Sequence, residues 1–298
     1  MIVAIGIDVD DTFARFVQRA LEVNVPVKVV NLRAAVESDW RFEVPVRAPA
    51  ALHQGDESIQ LQPDDTFFSR MIDLSLHQVD VTLARRWRAL LGGLRVWLDA
   101  VPGRVVNRSL GGLHNGSKPL HETVLRELGF RVPESITSCD ADELRRFVKE
   151  GPSISKTVCG VRADTVIATE ADFEGFAPES GPVHLQRLVI GADARIHVVG
   201  DRLISQRVQA SNVDYRRGCC FDDLEVFDAP AALRDLLIDG TRSLGLELAG
   251  WDFKIDGDDV YWALEANPMP GYSPYDQRCD GAISRAILHH LGAELPNP

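Results

Sequence analysis

Three oxygen-bearing side chains towards the end of the sequence, Asp252, Glu265 and Asn267, are spaced so that a sheet can gather them. WDFKI (251–255) and VYWALEANPMPGY (260–272) are apolar runs joined by Asp256-Gly257-Asp258-Asp259, and the Asp-Gly step marks a β-hairpin. Strand side chains alternate between faces, so Glu265 and Asn267 point the same way and Asp252 can come alongside from the partner strand. Two carboxylates and an amide oxygen form an all-oxygen set that suits Mg²⁺ shared with phosphate oxygens. Acids on a hairpin commonly form only its solvated face. These stand among Trp251, Phe253, Ile255, Tyr261, Trp262 and Leu264, where a carboxylate is costly unless paired or metal-bound. Lys156, in the run SISKTV (153–158), poses the reverse problem, because an ammonium between apolar neighbours needs an anion or a route to water. These groups point to the handling of a magnesium–nucleotide complex.

Positioning them takes strands, and the sequence patterns supply strands in order. IVAIGI (2–7) reads as a buried strand, residues 13–21 as a helix and VPVKVV (25–30) as a second strand, the spacing of a βαβ crossover. DTFFSR (65–70) reads as a further strand, and 83–98 as an amphipathic helix carrying Leu83, Trp87, Leu90, Leu91, Leu94 and Leu98. A new unit begins at RVVN (104–107). Gly111, Gly112 and Gly116 mark a loop, followed by a helix with Pro119 in its first turn and Gly129 at its end. VPESIT (132–137) is extended, Asp140 and Glu143 have capping-box spacing, and SISKTV is a short strand. Residues 160–180 form an acidic strand-and-loop region. HLQRLVI (184–190), ARIHVVG (194–200) and DRLISQRVQAS (201–211) read as strands, 231–244 as a helix and about 280–291 as a last helix. Arg195 and His197 alternate with Ile196 and Val198, so they share one face. His289-His290 reads as a helix end rather than a metal site.

The 298 residues suffice for one large core or two to three small ones, and 45% hydrophobic with 26% charged residues is ordinary for a soluble globular protein. A net charge of −12 argues against a general nucleic-acid binder and against docking on an anionic membrane. It does not weigh against ATP, which needs only a local positive field, but it disfavours a strongly acidic polypeptide substrate. No apolar run has the length of a membrane span, and MIVAIGIDVDD lacks the basic start of a signal peptide. Five cysteines (139, 159, 219, 220, 279) with no C-x-x-C pair read as reduced thiols of a cytoplasmic protein.

Across 104–291 an ordered set of strings resembles the ATP-grasp ligases, nearest their RimK-type and ribosomal-peptide-maturase branches. The strings are VVNRSLGGLHNGSKPL, LGFRVPES, SISK, HLQRLVIGADARIHVVGDR, VDYRR, and LAGWDFKI with YWALEANPMPGY. Each is short, and their order and spacing over nearly two-thirds of the chain carry the resemblance. It implies an α/β (α+β) ATP-grasp fold. A small N-terminal α/β domain would span 1–103, a central subdomain with the lid 104–190, and a metal-binding C-terminal subdomain 191–298.

The resemblance also implies roles. Lys118 and Lys156 would reach the nucleotide phosphates. Gln186, Arg187, Leu188 and Val189 would be the hinge along adenine, and Asp193 would bond the ribose. Arg195 would steady the transferring phosphate, and Arg216, in VDYRR, would bind the substrate carboxylate or its acyl phosphate. Asp252, Glu265 and Asn267 would hold one or two Mg²⁺ ions, with Mn²⁺ an acceptable substitute. The implied reaction activates a carboxylate with ATP as an acyl phosphate, releasing ADP, and an amine then forms the amide and releases phosphate. Substrates would be small molecules or short peptides in a biosynthetic pathway, joined between molecules or within one. A lid over about 135–185 would exclude water. No nucleic acid or membrane partner is implied, and homo-oligomerisation is left open. Two positions depart from the family pattern: only Gly160 closely follows Lys156 where the lid is usually glycine-rich, and Arg187 stands where a glutamate is common.

A competing signal lies at the start. Asp8-Val-Asp10-Asp11-Thr12 matches the D-x-D-x-T signature of haloacid-dehalogenase-type phosphatases, with Asp8 as nucleophile and Asp10 as acid–base. The later lysine and paired acids of such enzymes have no good home here, since Asp258-Asp259 falls in a hairpin turn. A nucleotide-binding protein without catalysis is the third reading.

Overall fold

Residues 1–159, 165–208 and 224–295 are described by a computed structural model. IVAIG carries no polar side chain, as a strand covered on both faces requires, and β1 (Ile2–Gly6) is buried throughout. It runs parallel to β2 (Val27–Asn31) on one side and β6 (Thr66–Ser69) on the other, and β7 (Val105–Val106) extends the sheet beyond β6. The crossover from β1 to β2 is α1 (Asp11–Glu22), capped by the Asp10 carboxylate on the amide of Thr12. Between β2 and β6 come α2 (Leu32–Ala35) and a three-stranded antiparallel sheet of β3 (Trp40–Arg41), β4 (Ala50–Gln54) and β5 (Glu57–Leu61). The long helix is α3 (Val81–Ala100), whose Trp87, Leu90, Leu91, Leu94, Trp97 and Leu98 join Val3, Ile5 and Phe67 in one core. RVVN therefore pairs with the first sheet through β7, although its sequence marks the start of a second unit.

The glycine loop leads into α4 (Lys118–Glu127), with Pro119 in its first turn and Gly129 in the left-handed conformation (φ +92°) just past its end. A four-stranded antiparallel sheet follows in the order β10-β9-β11-β8, made from β8 (Ser135–Ser138), β9 (Ser153–Lys156), β10 (Val166–Ala168) and β11 (Val183–Arg187). α5 (Ala141–Glu150) begins at Asp140, which accepts from the amides of Asp142 and Glu143. The expected capping box closes through a serine: Ser138 Oγ accepts the Asp140 amide and donates to Glu143. β11 stops at Arg187, so Leu188 and Val189, expected inside a strand, lie just beyond one.

The last sheet is antiparallel with five strands in the order β14-β13-β12-β15-β16. These are β12 (Ala192–Val199), β13 (Arg202–Val208), β14 (Leu224–Val226), β15 (Leu248–Ile255) and β16 (Tyr261–Asn267). On one face Ala194, Ile196, Val198, Trp251 and Phe253 pack with Leu125, Phe130 and Leu237 of α6 (Ala231–Ser243). The Phe130 and Trp251 rings lie 4.4 Å apart, and the indole N–H of Trp251 donates to Thr241 at 3.0 Å. The opposite face carries Asp193, Arg195 and His197. At its far end Val199 and Leu248 pack with Tyr272, with α7 (Ser273–Arg278) and α8 (Ala282–His290), and with Phe13 and Phe16 of α1. Among the described residues no helix is long and apolar enough to cross a membrane.

Candidate functional site

The sheet face left free of the apolar core is built in rows. Gln206, Arg195, Asp252 and Glu265 sit in register across four strands, and the next row on that face is His197, Gly250 and Asn267. The hairpin thus brings Asp252, Glu265 and Asn267 to one face, as their spacing predicts. A bulge contributes. Asp252 pairs with Glu265 but Phe253 pairs with Ala263, leaving Leu264 unopposed. That extra residue shifts the phase, so Ala263 enters the core beside Phe253 while Glu265 turns to the polar face.

Arg195 is locked into this face. Its Nη1 donates to Asp252 Oδ1 at 2.7 Å, its Nε to His197 Nε2 at 3.4 Å, and its guanidinium lies 5.9 Å from the Tyr275 ring centroid. Gly250 makes room for it, since a Cβ there would lie 2.7 Å from Arg195 Cζ. Burial, and then the Arg195 charge, drive the His197 imidazole well below its ordinary pKa, so it stays neutral and accepts. Glu265 Oε1 accepts from Asn115 of the glycine loop at 3.4 Å, and Asn267 Oδ1 accepts from the Met269 amide at 2.9 Å. Among the described residues no three His, Cys, Asp or Glu side chains gather as a metal cluster. The floor is two paired carboxylates beside an amide, a hard oxygen set in which Asp252 already faces a cation, the Arg195 guanidinium. These residues fit Mg²⁺.

The two lysines come from separate elements that meet. The Lys118 amide donates to Val158 O at 2.9 Å and Ser117 bridges Cys159, which sets the start of α4 against the chain leaving β9. Lys156, half-buried, donates to Gln186 Oε1 at 2.6 Å, and Gln186 Nε2 donates to Glu122 Oε1 at 2.6 Å. Glu122 also binds His184 Nε2 at 3.0 Å and the Ser135 hydroxyl. Burial pushes the Glu122 carboxyl up, but the hydrogen bonds from His184 and Ser135 and the charges of His184 and Lys156 outweigh it and hold it below the usual range. Asp193 is buried against Lys254 Nζ at 2.8 Å.

Arg187, where the resemblance leads one to expect a glutamate, has a visible use. Its guanidinium lies 3.7 Å from the Phe147 ring centroid, bonds the carbonyls of Phe147 and Gly151, and pairs with Glu134 at 3.2 Å and Glu150 at 3.0 Å. It clamps α5 to the sheet. The Leu188 amide donates to Pro152 O at 2.9 Å. Arg216, the rest of VDYRR, Gly160, Cys219 and Cys220 lie outside the described residues. Cys139, Cys159 and Cys279 are free thiols.

Sequence reasoning missed His121, Glu122 and His184. The partners that tie them to other elements, Thr137, His184, Gln186 and Ala266, are met across 47 to 145 positions, so only the oddity of polar residues on the inner face of a helix and strand could have marked them. His121 Nε2 accepts the Ala266 amide at 2.9 Å, and its Nδ1 lies 2.7 Å from His114 Nδ1. Burial, with His114 and Lys118 nearby, pushes the His121 pKa down to about 4 against the pull of Glu122.

The phosphatase signature is dismantled by its surroundings. Asp8 is exposed and pairs with Arg33 at 3.1 Å. Asp10 caps α1 and binds the guanidinium of Arg70, whose Nη1 donates to Pro270 O at 2.9 Å. Asp10 is thus taken up by the helix cap and the Arg70 pair, and Asp8 by an exposed ion pair. His290 binds the Glu247 carboxylate at the end of α8, the helix-end role expected for it.

No family model matches the chain. It is 35% identical over 103 residues to a protein of Xanthomonas oryzae pv. oryzae named "Probable alpha-L-glutamate ligase", a match covering 34% of this chain and 35% of that one. The chain thus spans about a third of the length of the curated relatives it first matches. Two solved structures align over nearly all of it. The macrocyclase MdnC of Microcystis aeruginosa MRC, bound with precursor peptide MdnA, has a TM-score of 0.80 at 17% identity, covering 99% of this chain and 100% of that one. The ATP-grasp ligase PsnB, complexed with a phosphomimetic variant of minimal precursor, Mg and ADP, has a TM-score of 0.78 at 21% identity, covering 97% and 98%. The chain has the ATP-grasp fold, resembling alpha-L-glutamate ligases in sequence and peptide-binding ATP-grasp ligases in architecture.

Proposed function

We propose that this protein is an ADP-forming carboxylate–amine ligase that makes an amide bond through an acyl phosphate. The observation that carries the reading is the row Arg195–Asp252–Glu265, a fixed guanidinium beside two carboxylates on the polar face of a sheet. The relatives' names and the ADP and Mg beside PsnB support the same chemistry. Asp252, Glu265 and Asn267 would hold one or two Mg²⁺ ions, or Mn²⁺ in their place, which neutralise charge on the β- and γ-phosphates. Lys118 and Lys156 add positive charge at the phosphates, and Gln186 directs Lys156. The backbone of 186–189 would lie along adenine, and Asp193 would bond the ribose. Arg195 meets the transferring phosphate already oriented by Asp252 and His197, so little reorganisation accompanies the reaction. Arg216 binds the carboxylate or its acyl phosphate. A closed lid over about 135–185 keeps water from the acyl phosphate. The precursor peptides bound to MdnC and PsnB favour a peptide as substrate, and the same groups serve joining between molecules or within one.

The test incubates the protein with Mg-ATP and a panel of peptides and small carboxylates, with hydroxylamine as surrogate amine, and follows ADP and hydroxamate. Carboxylate-dependent formation of both is expected. Glu265→Gln should lower turnover at least about a hundredfold with an unchanged unfolding midpoint. Tight ATP binding without turnover across the panel would overturn the ligase in favour of a nucleotide-binding protein.

A further inference from the structure

Adjacent residues of α4 reach two different parts of the site. His121, 2% exposed, accepts the Ala266 amide on Nε2. Ala266 lies between Glu265 and Asn267 on β16, an edge strand, and its amide turns outward to the helix. An outward edge amide in a dry setting needs a partner. Bonded to a buried ring, it fixes the height of the strand and so the aim of its two flanking side chains. Because Nε2 accepts, the neutral ring carries its proton on Nδ1, which faces His114 Nδ1 at 2.7 Å, so the ring is held at both ends.

Glu122, also 2% exposed, reaches the lid sheet instead. Lys156 can only donate and an ionised Glu122 can only accept, so Gln186 between them has one workable orientation, oxygen to the lysine and nitrogen to the glutamate. Glu122 thereby decides which group Gln186 presents to Lys156. Its remaining bonds, to His184 and Ser135 and to Arg126 Nη2 at 3.5 Å, hold the carboxylate in place.

We propose that His121 and Glu122 are positioning residues that make α4 the joint between the metal floor and the phosphate lysine. His121 sets Glu265 and Asn267, and Glu122 sets Lys156 through Gln186. This rests on the reading of Asp252, Glu265 and Asn267 as the metal floor and of Lys156 as a phosphate ligand.

The test is calorimetric ATP binding to the full chain, with and without Mg²⁺. His121→Leu should raise the Mg²⁺ concentration for half-maximal effect about tenfold while affinity for metal-free ATP stays within about twofold. His121→Gln, whose side-chain oxygen can replace Nε2 as acceptor, should recover most of the shift. Glu122→Gln should weaken ATP binding about tenfold with or without Mg²⁺ and leave the Mg²⁺ midpoint in place. His121→Phe, close to the ring in volume, stands in if the leucine variant does not fold. Folded variants that move neither quantity, or that move both together, overturn the proposal. A wild-type chain whose ATP affinity ignores Mg²⁺ overturns the underlying functional reading as well, which separates the two failures.

Discussion

Gly250→Ala tests whether Arg195 must be held where it is. Gly250 faces the site between His197 and Asn267, and an added Cβ would lie 2.6 Å from Pro270 Cβ and 2.7 Å from Arg195 Cζ, with Nη2 closer still. Ordinary contact begins at 3.4 Å, so the guanidinium must retreat by at least about 0.7 Å. Where it is directed away from Asp252, that movement stretches the 2.7 Å bond past the usual hydrogen-bond range of about 3.2 Å. Pro270 is a rigid ring whose carbonyl holds Arg70, so it gives way less readily than the arginine. Overpacking of this kind costs about 1–3 kcal/mol of stability, and displacing a donor from the reacting phosphate costs about 10²–10³-fold in turnover. The assay is carboxylate-dependent ADP release by Gly250→Ala, Arg195→Ala and the double variant, with unfolding midpoints measured alongside. If Gly250 acts by making room for Arg195, adding Gly250→Ala to Arg195→Ala changes turnover by less than about threefold. Near-normal turnover in the single variant, or full additivity in the double, would refute this reasoning.

Other outcomes follow from the packing and charges. Phe130→Ala opens a hole beside Trp251 and should cost about 3–5 kcal/mol, read from denaturant unfolding; a loss under about 1 kcal/mol would mean the ring is not core. Arg187→Met keeps an apolar stem on Phe147 but loses the charged bonds, about 2 kcal/mol of lid stability. Faster hydrogen exchange confined to α5 should result, and uniform exchange across all three larger sheets would contradict it. Acid should destabilise the fold earlier than carboxylates alone predict. His121 titrates near 4 when folded and near 6.5 when unfolded, so its contribution is complete above 6.5 and is lost as pH falls towards 4. At about pH 5 the loss from His121 is about 2 kcal/mol, and buried His197 shifts in the same direction. Equal denaturation midpoints at about pH 7 and about pH 5 would rule this out.

The hairpin was readable because its signals are local. Alternation places Asp252 against Glu265, and the Asp-Gly turn supplies the register to within the bulge at Leu264, which alternation cannot foresee. The βαβ start and α3 were readable for the same reason, since period and caps are encoded within a dozen residues. What escaped reading depends on contacts between distant positions. Nothing near Glu122 announces His184 or Gln186, and nothing near His121 announces Ala266. The D-x-D string stayed ambiguous because it looks the same whether its acid attacks phosphate or caps a helix, and Arg70 shows Asp10 engaged at the cap. Arg187 was visible as an anomaly, but its use became clear only with Glu134, Phe147 and Glu150 around it.

The loop that leaves β16 bears on how such proteins can be recombined. Pro270 is held by Arg70, Arg70 by Asp10, and the Tyr272 amide by the Thr12 hydroxyl, while β7 continues the first sheet past residue 103. A front half transplanted from a relative therefore meets the chain three residues past Asn267. A breakpoint at 103 would pair a foreign β6 with this chain's β7 and leave the loop clasped by foreign side chains. Chimeras joined after Asn107, with Asp10, Thr12 and Arg70 carried over, should accept new front ends where those cut earlier would not.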